Sequence, residues 1–301
     1  MADLNVNICG INFKNPVIAA SGTYGFGREF NEYYDINKIG GISTKGLTLL
    51  PRLGNPTPRI AEGTSVILNA VGLQNPGVES FIEKDLEFLK AKKIVVIANI
   101  AGNTLSDYIK MASRLNGLVD MIELNISCPN VKEGGIAFGI KPQSVEDITK
   151  AVKLVLSKTP LIVKLSPNVE SIKNNSMAAE NGGADCISLV NTFTGMAIDL
   201  EKRKPILANI TGGVSGAGIK PIALKMVYEA SKNVKIPVIG MGGIMNATDA
   251  LEFMVAGASA IQVGTANFSD ILAMPKIIDG MNEYLNKHNI AKVTDIINTL
   301  I

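Results

Sequence analysis

The chain has 301 residues, 47% of them hydrophobic and 19% charged, with a net charge of +2 and a single histidine. That length suits one α/β barrel domain with a sizeable core; no apolar run reaches the roughly 18 residues of a membrane span, and the dispersed lysines exclude the electrostatic footprint of a nucleic-acid binder. Cys9, Cys128 and Cys186 lie far apart and without CxxC spacing, so no zinc or other metal site and no disulfide framework is expected.

The first residues, Met1-Ala2-Asp3-Leu4-Asn5, lack the basic segment and long apolar stretch of a signal peptide, and a cytoplasmic location is the expectation. Val6-Asn7-Ile8 and Ile11-Asn12-Phe13 flank Cys9-Gly10 and predict a small hairpin that plugs the base of the main fold. Cys9 then has a structural role. Short apolar runs follow at Val17-Ile18-Ala19-Ala20, Gly41-Ile42-Ser43-Thr44, Val95-Val96-Ile97-Ala98 and Met121-Ile122-Glu123-Leu124. Four more come at Leu161-Ile162-Val163-Lys164, Cys186-Ile187-Ser188-Leu189, Val238-Ile239-Gly240-Met241 and Ala260-Ile261-Gln262-Val263. Most are followed by a segment with helical spacing. Near-continuous apolar strands alternating with helices imply a parallel sheet covered on both faces, and eight such units suggest closure into a barrel. The expected architecture is a (β/α)8 TIM barrel with a small N-terminal β-hairpin, one domain over residues 1–301.

Ser144 is placed to cap a helix with Ile148, Val152, Val155 and Leu156 on one face, and Thr248 to cap one carrying Leu251 and Met254, with Gly257 at its left-handed end. Cys186, inside an apolar run, reads as a small buried hydrophobe. His288, in the polar stretch Asn286-Lys287-His288-Asn289, reads as a surface residue.

In such barrels the reacting groups sit where strands end. Here those positions hold Ser21-Gly22-Thr23, Lys45-Gly46, Asn99, Asn125, Lys164, Asn191-Thr192, Gly242-Gly243 and Gly264-Thr265. The set is rich in amides and carries two lysines, which a purely structural barrel does not need. Gly242-Gly243 and Gly264-Thr265 follow the seventh and eighth strands, where backbone N–H groups can face an anion, so a phosphorylated ligand is expected. The run Gly213-Val214-Ser215-Gly216-Ala217-Gly218 adds a further glycine-rich loop. Lys164, arriving in an apolar strand, needs an anionic partner. Cys128 ends a strand and precedes Pro129, which stops the ladder there and aims the thiol at the barrel mouth. The next segment, Glu133 to Gly139 with three glycines as hinges, reads as a lid.

Asn125-Ile126-Ser127-Cys128-Pro129-Asn130-Val131, followed by Gly134-Gly135, resembles the active-site signature of class 1 dihydroorotate dehydrogenases. Ala20-Ser21-Gly22-Thr23-Tyr24-Gly25, Ser43-Thr44-Lys45-Gly46, Asn69 to Gly77 and Val163-Lys164-Leu165-Ser166-Pro167-Asn168 are similar to the same family in the same order. So are Asn191-Thr192-Phe193 and Gly240-Met241-Gly242-Gly243-Ile244. The likeness runs from about Leu4 to Phe268.

The resemblance implies an FMN flavoprotein that oxidises (S)-dihydroorotate to orotate in de novo pyrimidine (UMP) biosynthesis. It implies Cys128 as the base at the substrate's C5, with the C6 hydride passing to FMN. It places Ser21, Lys45, Gly46, Asn99, Asn125 and Lys164 on the flavin, together with Val190, Gly216, Gly242, Gly243, Gly264 and Thr265. Dihydroorotate is expected to meet Lys45, the run Asn69, Ala70, Val71, Gly72 and Leu73, and Asn125, Asn191 and Thr192. The stretch Val131 to Gly139 is most similar to the NAD-linked class 1B form. That subfamily implies a partner subunit carrying FAD and a 2Fe–2S cluster, on a homodimer core of a heterotetramer. The chain itself has too few cysteines for such a cluster. Alternatives from the sequence are a fumarate-linked class 1A enzyme, a flavoprotein of the dihydropyrimidine dehydrogenase kind, and a non-catalytic barrel that binds a phosphorylated ligand.

Overall fold

In the computed structural model, which describes residues 2–126 and 135–301, eight parallel strands close into a barrel. They are Val17–Ala19, Gly41–Ser43, Val95–Ile100, Met121–Asn125, Leu161–Lys164, Cys186–Leu189, Val238–Met241 and Ala260–Val263. Each pairs with its neighbours in chain order and the eighth closes on the first, with Ile261 beside Val17 and Val263 beside Ala19. All eight apolar runs of the sequence are therefore barrel strands. Their side chains are buried almost throughout, as strands covered on one face by helices and on the other by the barrel's own interior must be.

The hairpin Val6–Ile8 and Ile11–Phe13 is antiparallel, turned through Cys9 and Gly10, both with positive φ, as a two-residue hairpin turn requires. It plugs the base as expected. Ile8 and Phe13 are fully buried, and the Cys9 thiol donates to the carbonyl of Asp185, just before the sixth strand, at 3.1 Å.

Helices cover the outside, and their starts differ from the expected ones in two places. The helix assigned to Ser144 runs Pro142–Lys153, because Pro142 suits the first helical position. The helix assigned to Thr248 runs Ala247–Val255 and is capped by Asn246, whose side chain accepts from Asp249 N at 3.0 Å; Gly257 follows it with φ +116°, as expected. Residues 135–140, expected as part of a hinged lid, form a helix. Buried Asn175 donates to the carbonyls of Gly139 and Ile140 at 2.9 and 3.2 Å, satisfying its last turn. Residues 133 and 134 lie outside the described residues.

A four-stranded antiparallel sheet stands at the barrel's C-terminal end, in the order Phe193–Met196, Thr211–Ser215, Val66–Asn69, Ile60–Gly63. The expected glycine-rich loop at 213–218 thus begins inside a strand, with Gly213 opposite Asn69. Close packing rather than a loop explains that glycine, since a Cβ there would fall 2.7 Å from Thr192 Cβ. Ala61, Leu68, Ala70 and Leu207 form a small second core on this sheet. Among the described residues no helix is long and apolar enough to cross a membrane.

Candidate active site

The ends of the barrel strands and the sheet above them enclose a cavity of about 390 Å3. Most of the strand-end residues singled out in the sequence line it. Ser21, Lys45, Gly46, Asn125, Lys164 and Val190 face it from one side, and Gly242, Gly243, Gly264 and Thr265 from the other. Asn69, Val71, Gly72 and Leu73 close it with Asn191 and Thr192.

Three of the expected residues, Asn99, Ala70 and Gly216, are not among those lining the cavity. Asn99 is fully buried one layer below the cavity floor. Ala70 turns into the small core of the covering sheet. Gly216 is set back beside the carbonyl of Ser65, while its neighbour Ser215 reaches the cavity and shares a 2.9 Å hydroxyl hydrogen bond with Thr265. Cys128 lies outside the described residues.

At the phosphate-favouring end, Gly242 and Gly243 have φ of +124° and +74°, values that side-chain-bearing residues rarely adopt. Gly243 packs on the start of helix Lys220–Ser231, where a Cβ would fall 2.7 Å from Lys220 N. Lys220 itself is spoken for, paired with Asp249 at 2.6 Å and Glu252 at 2.8 Å. At the opposite end three amides form a chain. Asn125 Nδ2 donates to Asn99 Oδ1 at 3.4 Å, and Asn191 Nδ2 donates to Asn125 Oδ1 at 3.4 Å. Buried Tyr108 donates to the Asn125 carbonyl at 2.9 Å, fixing the strand end that carries it.

Beneath both halves sits Glu123, wholly buried in the fourth strand. Its carboxylate accepts from Ser43 and Ser188 at 2.8 Å each, from Gln262 at 2.7 Å and from Asn99 at 2.6 Å. Lys164 Nζ stands 3.8 Å away. Burial pushes the Glu123 carboxyl up, but the Lys164 charge and the donors of Ser188, Asn99 and Gln262 outweigh it and hold the group below the usual carboxylate range. Sequence reasoning missed Glu123 and Gln262. The available signal was a polar residue inside a strand buried on both faces, at Met121-Ile122-Glu123-Leu124 and at Ala260-Ile261-Gln262-Val263. It also missed Ile60, Glu62 and Ile67, which the covering sheet brings to the cavity wall.

A parallel eightfold barrel whose strand ends present two lysines, a chain of amides and two glycine-lined turns around one cavity defines a protein of the TIM-barrel enzyme class. The dihydroorotate dehydrogenase family profile matches residues 3–285, and the chain belongs to that family. It is 54% identical over 301 residues to a protein of Geotalea uraniireducens, covering 99% of this chain and 98% of the relative. It is 55% identical to relatives in Petrotoga mobilis, over 98% of this chain and 99% of the relative, and in Bacteroides fragilis, over 100% and 99%. All three relatives are named dihydroorotate dehydrogenase B (NAD(+)), catalytic subunit.

Proposed function

We propose that this chain oxidises (S)-dihydroorotate to orotate with FMN, in de novo pyrimidine synthesis. In the same reading its electrons pass to NAD through a partner subunit bearing FAD and a 2Fe–2S cluster. The observation that carries this is the single cavity shared by Lys45, Lys164 and the amides Asn69, Asn125 and Asn191. A carboxylated pyrimidine needs a cation for its carboxylate and side chains that both donate and accept for its ring amides. The names of the relatives favour the NAD-linked form over the fumarate-linked one.

The residues present fit a flavin mononucleotide. Gln262 Oε1 is buried at the cavity wall and meets no donor among the described residues, so it is placed to accept from a ligand. The turns at Gly242-Gly243 and Gly264-Thr265 offer glycine backbone and the Thr265 hydroxyl to a phosphate. Ser21, Gly46, Asn125, Lys164 and Val190 would hold the ring, and when bound FMN supplies the hydride acceptor. Lys164, which lines the cavity, would supply positive charge to offset the negative charge that a flavin gains on reduction. Lys45 pairs with the substrate carboxylate, while Asn69, Asn125, Asn191 and Thr192 orient the pyrimidine with the backbone of Val71, Gly72 and Leu73. Cys128 takes the proton from substrate C5, acidified by the adjacent carbonyl. A homodimer core within a heterotetramer and a cytoplasmic location belong to the same reading.

The test is an anaerobic absorption spectrum of the purified protein before and after adding dihydroorotate. Bleaching of a yellow flavin band supports cofactor, substrate and hydride transfer together. Flavin that dihydroorotate does not bleach, even with the partner subunit present, overturns the substrate assignment, and failure to bind any flavin overturns the whole reading.

A further inference from the structure

The four donors around Glu123 do more than satisfy a buried charge. An ionised carboxylate only accepts, so Asn99 must turn its Nδ2 toward Glu123, at 2.6 Å. Its Oδ1 is thereby left to accept from Asn125 Nδ2, which turns Asn125 Oδ1 toward Asn191 Nδ2. The far end fixes the same polarity independently. Thr192 N, which can only donate, gives its hydrogen to Asn191 Oδ1 at 2.8 Å and so leaves Asn191 Nδ2 facing Asn125. Gln262 follows the same logic: its Nε2 is committed to Glu123 at 2.7 Å, so the buried atom it offers the cavity is the acceptor Oε1.

We propose that Glu123 is a positioning residue of this site: without lining the cavity, it sets which hydrogen-bonding faces Asn99 and Gln262 present, anchors the near end of the amide row that Thr192 holds at the far end, and balances the charge of Lys164. Six side chains drawn from six strands meet in this arrangement, namely Ser43, Asn99, Glu123, Lys164, Ser188 and Gln262. One carboxylate therefore couples the floor of the flavin site to the amide row at the substrate end. Low dielectric strengthens each of these hydrogen bonds and makes any reversed amide costly. The inference rests on the proposed flavin and dihydroorotate reading.

The experiment compares wild type with Glu123→Gln, both loaded with FMN, by flavin midpoint potential and by orotate titration of the flavin spectrum. Neither readout needs turnover. Glutamine keeps the shape, removes the charge and introduces an NH2 group among donors. With Lys164 no longer balanced, the reduced flavin is stabilised. The potential rises by at least the equivalent of a tenfold change in the two-electron equilibrium, about 30 mV. Orotate binds about tenfold more weakly, because Thr192 alone then holds the amide row and one buried hydrogen bond at its Glu123 end is lost or left unsatisfied. An unchanged potential with unchanged orotate affinity overturns the proposal.

Should Glu123→Gln fail to hold flavin, Ser188→Ala decides. It removes one donor from the carboxylate without lining the cavity and concentrates the negative charge. A lowered potential supports the proposal, and an unchanged one overturns it. Wild-type protein that holds FMN but neither binds orotate nor is bleached by dihydroorotate sinks the functional reading instead, while the potential difference still tests Glu123.

Discussion

Glu123 Oε2 and Lys164 Nζ lie 3.8 Å apart, with the glutamate side chain fully buried and the lysine side chain 5% exposed. Removing one member of such a pair leaves the other charged and desolvated, a loss of about 3–5 kcal/mol for a closely paired buried bridge. Four donors would still hold Glu123, so Lys164→Met is expected near the low end, about 3 kcal/mol. Pairing it with Glu123→Gln should restore part of that loss. Urea unfolding of the two single variants and the double variant measures the coupling, and strictly additive losses would refute it.

The same carboxylate makes a prediction in acid. Its pKa is lowered on folding, so its contribution is fully present above the unfolded value of about 4.3 and is lost as pH falls through the lower folded value. The unfolded chain binds the proton first, and stability therefore falls as pH falls. The advantage of wild type over Glu123→Gln in urea midpoint should hold steady from about pH 7 to 5 and shrink below about pH 4. A gap that stays constant down to pH 3 would count against the ionised carboxylate.

Gly243 tests the phosphate end. Alanine there meets a left-handed φ of +74° and places Cβ 2.7 Å from Lys220 N. The strain costs about 1–3 kcal/mol if the backbone stays, and relief requires the turn to shift off Lys220 and so to change the cavity wall. Gly243→Ala should fold yet purify with much less flavin, read as the ratio of flavin to protein absorbance. Full flavin occupancy would show that this turn does not hold the cofactor.

The two thiols at the barrel base should differ in reactivity. The neighbouring Cys186 thiol lowers the pKa of Cys9, whereas burial pushes Cys186 well above the usual thiol range. Thiolate is the reacting form, and Cys9 is only partly buried while Cys186 is fully so. Iodoacetamide should alkylate Cys9 in the native protein and reach Cys186 only after unfolding, as peptide mass mapping would record. Equal rates at the two positions would contradict the packing of the hairpin against the sixth strand.

For Cys128, the expected outcome of Cys128→Ala is unchanged FMN content with flavin reduction by dihydroorotate slowed about a hundredfold or more. Because a free thiol titrates near pH 8.5, wild-type reduction should accelerate between about pH 6 and 9. Rapid-mixing absorbance across that range checks both statements, and a flat profile would remove Cys128 as the base.

The sequence by itself determined the barrel. Eight short runs, apolar on successive residues and separated by helical spacing, have no stable arrangement except strands covered on both faces, and each became a barrel strand. It also determined most of the cavity wall, since polar residues and paired glycines at strand ends belong at the open face. Helix starts were less legible: Asn246 and Pro142 won over Thr248 and Ser144 because several residues in each stretch can begin a helix and only the docked geometry chooses. Only the tertiary structure decided the depth of each polar side chain. Asn125 ends its strand, level with Lys164, whereas the strand of Asn99 runs on to Ile100 and sets Asn99 lower, level with Glu123, because pairing across the barrel fixes strand length and height and local pattern does not encode them. Glu123, Gln262, Ser43 and Ser188 are far apart in the chain, and closure of the barrel alone brings their side chains to one point.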